Sequence, residues 1–326
     1  MRIALIALMF LAFISPVTAQ DDSPILDADA RYIEVDGASI YVIERGDPDG
    51  LPVILLHGFG GSVFTWRYTI DPLAEAGYHV IAFDRPPYGL SEKSPDFDWT
   101  GTAYADLTVG VMDAFDIEAA VLVGHSAGGG VIADVAALYP ERILGLDFAA
   151  GAVITGDAEA DAWAVGRDES DTEDSPLGGL AGSLSDINPE SPLAQLAVRA
   201  ILTPERFADL LTSAYYSPES VPADAVEGYG RPLTVPGWEA AFLKLLSSGM
   251  SAPNYTPELW DSLSVPVLLQ WGENDTWISP MIGAALAARI DGAVLKTYPE
   301  TGHIAMEEQP DAFNADLLTW LAGINL

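Results

Sequence analysis

A chain of 326 residues with 48 Asp and Glu against 14 Lys and Arg carries a formal charge of −34 at neutral pH. Such a surface repels nucleic acid and anionic membranes, which excludes both as partners, and it suits a saline medium whose counterions screen the self-repulsion. The absence of cysteine excludes disulfides, thiol nucleophiles and zinc–thiolate sites.

Met1-Arg2 gives a short positive start, Ile3 to Ile14 is apolar, and Val17-Thr18-Ala19 is a small-residue cleavage site. This reads as a signal peptide over 1–19, cut before Gln20, and predicts a secreted or periplasmic protein. The run is shorter than the ~20 apolar residues of a membrane span. No stable membrane insertion is expected after cleavage; an uncleaved N-terminal anchor is the alternative. Residues 20–30 read as a mobile acidic lead-in.

Arg31–Asp36 and Ser39–Glu44 flank Asp36-Gly37, a hairpin signal. Pro52–Leu56, His79–Phe83, Ala119–Val123, Ile143–Leu146, Val265–Leu269 and Ala293–Thr297 are short apolar runs without alternation. That pattern suits strands buried on both faces of a parallel sheet. Between them, Tyr104–Phe115, Gly128–Tyr139, Pro280–Ile290 and Gln309–Leu321 read as helices. The alternation predicts an α/β fold with a mostly parallel central sheet flanked by helices. More than a hundred residues separate the runs ending at Leu146 and starting at Val265, too many for a plain loop. Leu193–Tyr216 and Pro236–Ser248 have helical periodicity there. The division expected is therefore a core of 31–151 and 257–326, with a helical cap inserted over 152–256.

Gly124-His125-Ser126-Ala127-Gly128 follows one apolar run and opens a helix. That Gly-x-Ser-x-Gly context places Ser126 on a sharp strand-to-helix turn with its hydroxyl exposed. A Ser hydroxyl needs a base to become a nucleophile. Of the four histidines, His57 precedes a Gly-rich turn and His79 begins a strand. His125 adjoins Ser126, so its side chain is expected to diverge. His303 follows the last strand and fits the chain order Ser, acid, His. The acid that orients it is expected at Asp275, with Glu273 and Asp147 as alternatives. Backbone N–H groups of Ala127 and of the loop His57-Gly58-Phe59-Gly60-Gly61, Phe59 foremost, are the candidate oxyanion donors.

With His57-Gly58-Phe59-Gly60-Gly61-Ser62, the run Asp84 to Ser91, the Ser126 turn, Gly272-Glu273-Asn274-Asp275 and Gly302-His303, the chain resembles the α/β-hydrolase family from about Pro52 onward. The likeness is to its cap-bearing esterases, perhydrolases and C–C bond hydrolases. It implies an acid at Asp275 and an oxyanion N–H at Phe59. Pro87 stands where the family usually has Gly. Ser126 departs from the Asp nucleophile of dehalogenases and epoxide hydrolases. His125 stands where C–C hydrolases often have Asn.

The expectation is hydrolysis of a small apolar or amphipathic carboxylic ester through an acyl-enzyme, with no metal or cofactor implied. Lactone, amide or C–C hydrolysis on the same residues is the first alternative, and a non-catalytic binding protein the second. Trp277, Trp163, Tyr229 and Trp238 are the candidate substrate contacts, within a cap that also holds Phe207, Tyr215, Tyr216 and Phe242.

Overall fold

In β3 (Pro52–Leu56) the side chains of Ile54 and Leu56 enter one apolar layer, and those of Val53 and Leu55 enter another on the opposite face. β4 (His79–Phe83) repeats this with Ile81 and Phe83 against Val80 and Ala82. Each of these side chains larger than alanine contributes about 1.5–3 kcal/mol when fully buried. Burial on both faces is why the runs are continuously apolar. The structure, a computed structural model, describes residues 29–94, 97–98, 100–162, 188–203, 205–207, 212–248 and 253–324. The signal segment, residues 20–28 and Trp163 lie outside them.

The sheet has eight strands: β1 (Ala30–Val35), β2 (Ala38–Gly46), β3, β4, β5 (Ala120–His125), β6 (Ile143–Ala149), β7 (Val267–Gly272) and β8 (Val294–Tyr298). Their spatial order is β1-β2-β4-β3-β5-β6-β7-β8. β2 is antiparallel to both neighbours, and every other pairing is parallel. The Asp36-Gly37 turn has φ of 49° and 83°, as a two-residue hairpin requires. Ala30, read as part of the lead-in, already pairs with Ile43.

Helices Gly101–Ala114, Ala127–Leu138 and Pro280–Arg289 cover one face, and Ile70–Glu75 and Pro310–Leu321 the other. Ile70–Glu75 escapes sequence reading, being only six residues long. Between β6 and β7 lie helices Pro192–Ile201, Ala225–Gly230 and Trp238–Ser248, which share an apolar cluster of their own around Val198, Phe207, Tyr229 and Trp238. The helical segment expected over Leu193–Tyr216 is broken after Ile201, because Pro204 disfavours a helical residue before it, and helical residues return at 205–207 and 212. Among the described residues no helix is long and apolar enough to cross a membrane.

β4 and β5 lie on opposite sides of β3. The strand order therefore reverses at β3, and a crevice opens beyond the carboxyl ends of β3 and β5, where ligands of such sheets bind. β5 enters the helix Ala127–Leu138 through Ser126, whose φ is +51° and ψ −120°. A side chain there is strained by about 1–3 kcal/mol. Packing holds it in place. A Cβ on Gly124 would lie 2.5 Å from the Gly128 carbonyl oxygen, and one on Gly128 would lie 2.5 Å from the Leu56 carbonyl oxygen. Only bare backbone fits between β3 and the helix start.

Gly128→Ala is therefore expected to destabilise the fold by about 1–3 kcal/mol. Gly130→Ala, whose Cβ would come no closer than 3.2 Å to the Ala152 oxygen, gains helix propensity and should stay within about 1 kcal/mol of the parent. Urea unfolding of the two variants measures the difference.

Candidate active site

Ser126 closes β5 and is held by its own backbone. Its N–H donates to the Ala149 carbonyl at 3.0 Å, and its carbonyl accepts from Gly129 N–H at 2.8 Å and Ala152 N–H at 2.9 Å. The loop after β3 lies directly against it: a Cβ on Gly58 would come within 2.9 Å of Ser126 Cβ. Ala127 is the first residue of the helix, where backbone N–H groups have no acceptor within the helix. Phe59 and Ser126 line one cleft of about 310 Å³ together with His303, Trp277 and Tyr229.

The loop that carries Phe59 is braced from behind. His57 Nε2 accepts from the Arg85 N–H at 3.0 Å, so its Nδ1–H donates to the Gly58 carbonyl at 2.8 Å. Tyr88 meets the rings of His57 and Phe59 edge-on at 5.5 and 5.8 Å. Asp84 is wholly buried and accepts from Val63 N–H and Leu90 N–H, both at 2.6 Å. Burial pushes its carboxyl upward, opposed by those bonds and by Lys93. Lys93 Nζ donates to the carbonyls of Tyr88, Gly89 and Ser91 at 3.1, 2.6 and 2.7 Å.

Asp275 and His303 come together. His303 Nδ1–H donates to Asp275 Oδ2 at 2.7 Å, with both side chains buried. Asp275 Oδ1 accepts from Trp277 N–H at 2.8 Å and Ile278 N–H at 2.9 Å. Those bonds fix the carboxylate, which fixes the ring. Trp277 stacks on the imidazole at a centroid distance of 5.4 Å. His303 Nε2 has no hydrogen-bond partner among the described residues, on a ring that faces the cleft shared with Ser126.

The alternative acids lie elsewhere. Asp147 pairs in register with Val123 of β5 and Leu268 of β7, inside the sheet, and neither carboxyl oxygen has a hydrogen-bond partner among the described residues. Burial pushes its carboxyl well above the usual range. Glu273 accepts from the exposed Thr297 hydroxyl at 3.0 Å.

His125 corrects the expectation that it would diverge. Its ring lines the same cleft, lies 4.7 Å from the ring of His303, and its Nε2–H donates to the His303 carbonyl at 3.1 Å. The left-handed turn that follows it moves Ser126 and leaves the His125 ring beside the last loop. Burial first, and then His303, hold its pKa well below the ordinary imidazole range. Burial and Arg85 do the same to His57. His79 pairs with Glu44 at 2.9 Å, away from the site.

A second, more apolar cavity of about 450 Å³ adjoins the first across Phe59, walled by Trp238, Phe207, Phe242 and Leu233, with Lys93 at its edge. Of the candidate substrate contacts, Trp277 and Tyr229 line the first cavity and Trp238 the second. Tyr216 is 45% exposed and lines neither.

Sequence reading passed over the residues that tie the insertion to the His303 loop. His303 N–H donates to the Ala214 carbonyl at 2.7 Å. Glu308 accepts from Gly302 N–H and Tyr216 N–H, both at 2.8 Å. Buried Glu307 accepts from Arg67 at 2.9 Å, from Tyr215 O–H at 2.6 Å and from Tyr229 O–H. The adjacent pair Glu307-Glu308 was the available signal, yet two acids in a chain of 48 do not stand out.

Residues 53–316 match the model of the alpha/beta hydrolase family. The uncharacterized hydrolase YugF of Bacillus subtilis is 27% identical over 89% of this chain and 97% of its own length. The 2-hydroxy-6-oxononadienedioate/2-hydroxy-6-oxononatrienedioate hydrolase of a Pseudomonas species is 27% identical over 94% and 99%. Among solved structures, the carboxylesterase CesB of Bacillus subtilis superposes with a TM-score of 0.68 at 19% identity, covering 91% of this chain and 93% of that one. With a reversed strand order at β3, a serine on the β5 turn and a family match across most of its length, this chain belongs to the alpha/beta hydrolases.

Proposed function

We propose that the protein is a serine hydrolase that cleaves an uncharged carboxylic ester through an acyl-enzyme. The observation that carries this reading is the Asp275–His303 hydrogen bond of 2.7 Å beside a cleft that His303 shares with Ser126. Asp275 holds the proton on Nδ1, so Nε2 is free to act as base. Ser126 Oγ attacks the ester carbonyl while His303 takes its proton. The Phe59 and Ala127 N–H groups receive the oxyanion. His303 returns the proton to the leaving alcohol and then activates the water that releases the acid.

Hydrolysis of a C–C bond on the same side chains is the rival reading, and the Pseudomonas dienedioate hydrolase speaks for it. A dicarboxylate needs a cation in the cavity to offset its desolvation. Among the described residues lining the two cavities the one cation is Lys93, whose Nζ is spent on three backbone carbonyls. The aromatic and aliphatic walls of the larger cavity favour an uncharged apolar arm instead. Residues 1–19 are read as a cleaved secretion signal, which places the activity outside the cytoplasm.

Ser126→Ala should abolish turnover of an aryl ester and labelling by a fluorophosphonate while circular dichroism stays native. Asp275→Asn should lower kcat by about 10³–10⁴-fold, whereas Asp147→Asn should keep activity within about tenfold, since that carboxyl has no histidine partner and burial pushes it toward the uncharged form. Equal losses in the two Asn variants would reject the assignment of the acid.

Because burial keeps His57 and His125 neutral, one group should govern the acid side of the pH profile. Log kcat/KM on a neutral ester should rise with a slope of one on the acid side. A slope of two would bring in a second titrating group, another histidine or the buried Asp84, whose carboxyl is pushed up to about 6.

Intact-mass measurement of the exported protein should give an N-terminus at Gln20. A retained Met1 would mean an anchor.

A further inference from the structure

The cleft that His303 and Ser126 line also takes in Thr65 and Tyr229, whose hydroxyl oxygens lie 3.3 Å apart. Either could donate to the other in isolation. Their surroundings decide the direction. Buried Glu307 receives three donors: the Arg67 guanidinium and the Tyr215 hydroxyl on Oε2, and the Tyr229 hydroxyl on Oε1. Burial pushes the Glu307 carboxyl upward, and the always-charged Arg67 guanidinium and the two phenol donors work against that; three donors on its two oxygens make Glu307 the acceptor of the cluster. Tyr229 has one proton, and it goes to Glu307. Its oxygen is then an acceptor, so the Thr65 proton goes to Tyr229. Thr65 Oγ is left with lone pairs and no proton for the cleft.

Resting on the ester-hydrolase reading, we propose that Thr65 is a specificity-determining residue whose hydroxyl acts only as an acceptor. It selects substrates that carry a hydroxyl or N–H donor near the scissile carbonyl, such as hydroxyacyl or glycol esters. The direction is set from Glu307 through Tyr229. Both hydroxyls are fixed by the structure: Thr65 is 2% exposed and Tyr229 3%, and Phe64 meets the Tyr229 ring edge-on at 5.1 Å. The relay also makes recognition depend on the insertion, since Tyr229 lies in the helix Ala225–Gly230 and Thr65 follows β3. A substrate that offers an ether oxygen at the same position meets lone pairs with lone pairs.

The test compares a hydroxyl-bearing ester with its methyl ether, each referred to the unsubstituted ester, in the full-length mature protein. The native protein should favour the hydroxyl over the methoxy compound in kcat/KM by about three- to tenfold, the range of one neutral hydrogen bond. Thr65→Val keeps the shape and removes the acceptor, so the ratio should fall to about one. Tyr229→Phe removes the group that takes the Thr65 proton. The Thr65 hydroxyl can then also donate to the cleft, and the ratio should collapse toward one again. If Thr65→Val fails to fold, Tyr229→Phe carries the same reading. A native ratio of one, or a ratio unchanged in a folded variant, overturns the relay and leaves the hydrolase standing if Ser126 is still labelled by a fluorophosphonate. Loss of that labelling in the native protein overturns both.

Discussion

The site depends on a close approach of bare backbone. β3, β5 and the helix after Ser126 meet where Gly124 faces the Gly128 carbonyl and Gly128 faces the Leu56 carbonyl, in both cases with room for no Cβ. The left-handed Ser126 conformation costs of order 1–3 kcal/mol. The sheet and helix on either side supply the burial that outweighs it. Because β3 ends beside β5, the Gly58-Phe59 loop reaches Ser126 by geometry alone. Because β7 and β8 run parallel on the same side, their carboxyl-end loops bring Asp275 and His303 to the same edge. The serine turn, the candidate oxyanion loop and the acid–histidine pair thus follow from one topology.

Charge is used in two ways in this chain. Most of its 48 acids contribute to the field of the whole molecule. A few are buried, and each has a different solution to the cost of burial. Asp275 accepts two backbone N–H groups and an imidazole N–H. Asp84 accepts two backbone N–H groups across a loop. Glu307 gathers a guanidinium and two phenols. Asp147 has no partner among the described residues, and burial drives it toward the uncharged form. Only the first of these places an acid against a histidine. That separates Asp275 from Asp147 physically, where their positions after successive strands did not.

What the sequence made legible tracks the range of the forces involved. β3 and β4 were readable to the residue because two buried faces impose a continuous apolar run. β5 and β6 extend further than their apolar runs, through Gly124-His125 and Asp147-Phe148-Ala149, because ladder pairing continues where the side-chain signal fades. Ser126 was readable because its strain demands small neighbours. The buried position of His125 was not, since it depends on where the last loop packs. The Glu307 cluster was invisible for the same reason: Tyr229 and Tyr215 lie 78 and 92 residues away along the chain, with no period or motif linking them.

The 214–216 segment and the loop that carries His303 are therefore bound together by hydrogen bonds. The backbone N–H of His303 is satisfied by Ala214, and Gly302 and Tyr216 share the carboxylate of Glu308. A movement that lifted the 214–216 segment would leave the buried His303 N–H without its acceptor, at a cost of about 1–3 kcal/mol. The second cavity, around Trp238 and Phe242, is walled mainly by aromatic and aliphatic side chains, whose contacts carry no such directional requirement. The same division explains the chemistry of the two cavities. Polar bonds fix the cavity that Ser126 and His303 line, and apolar packing shapes the other.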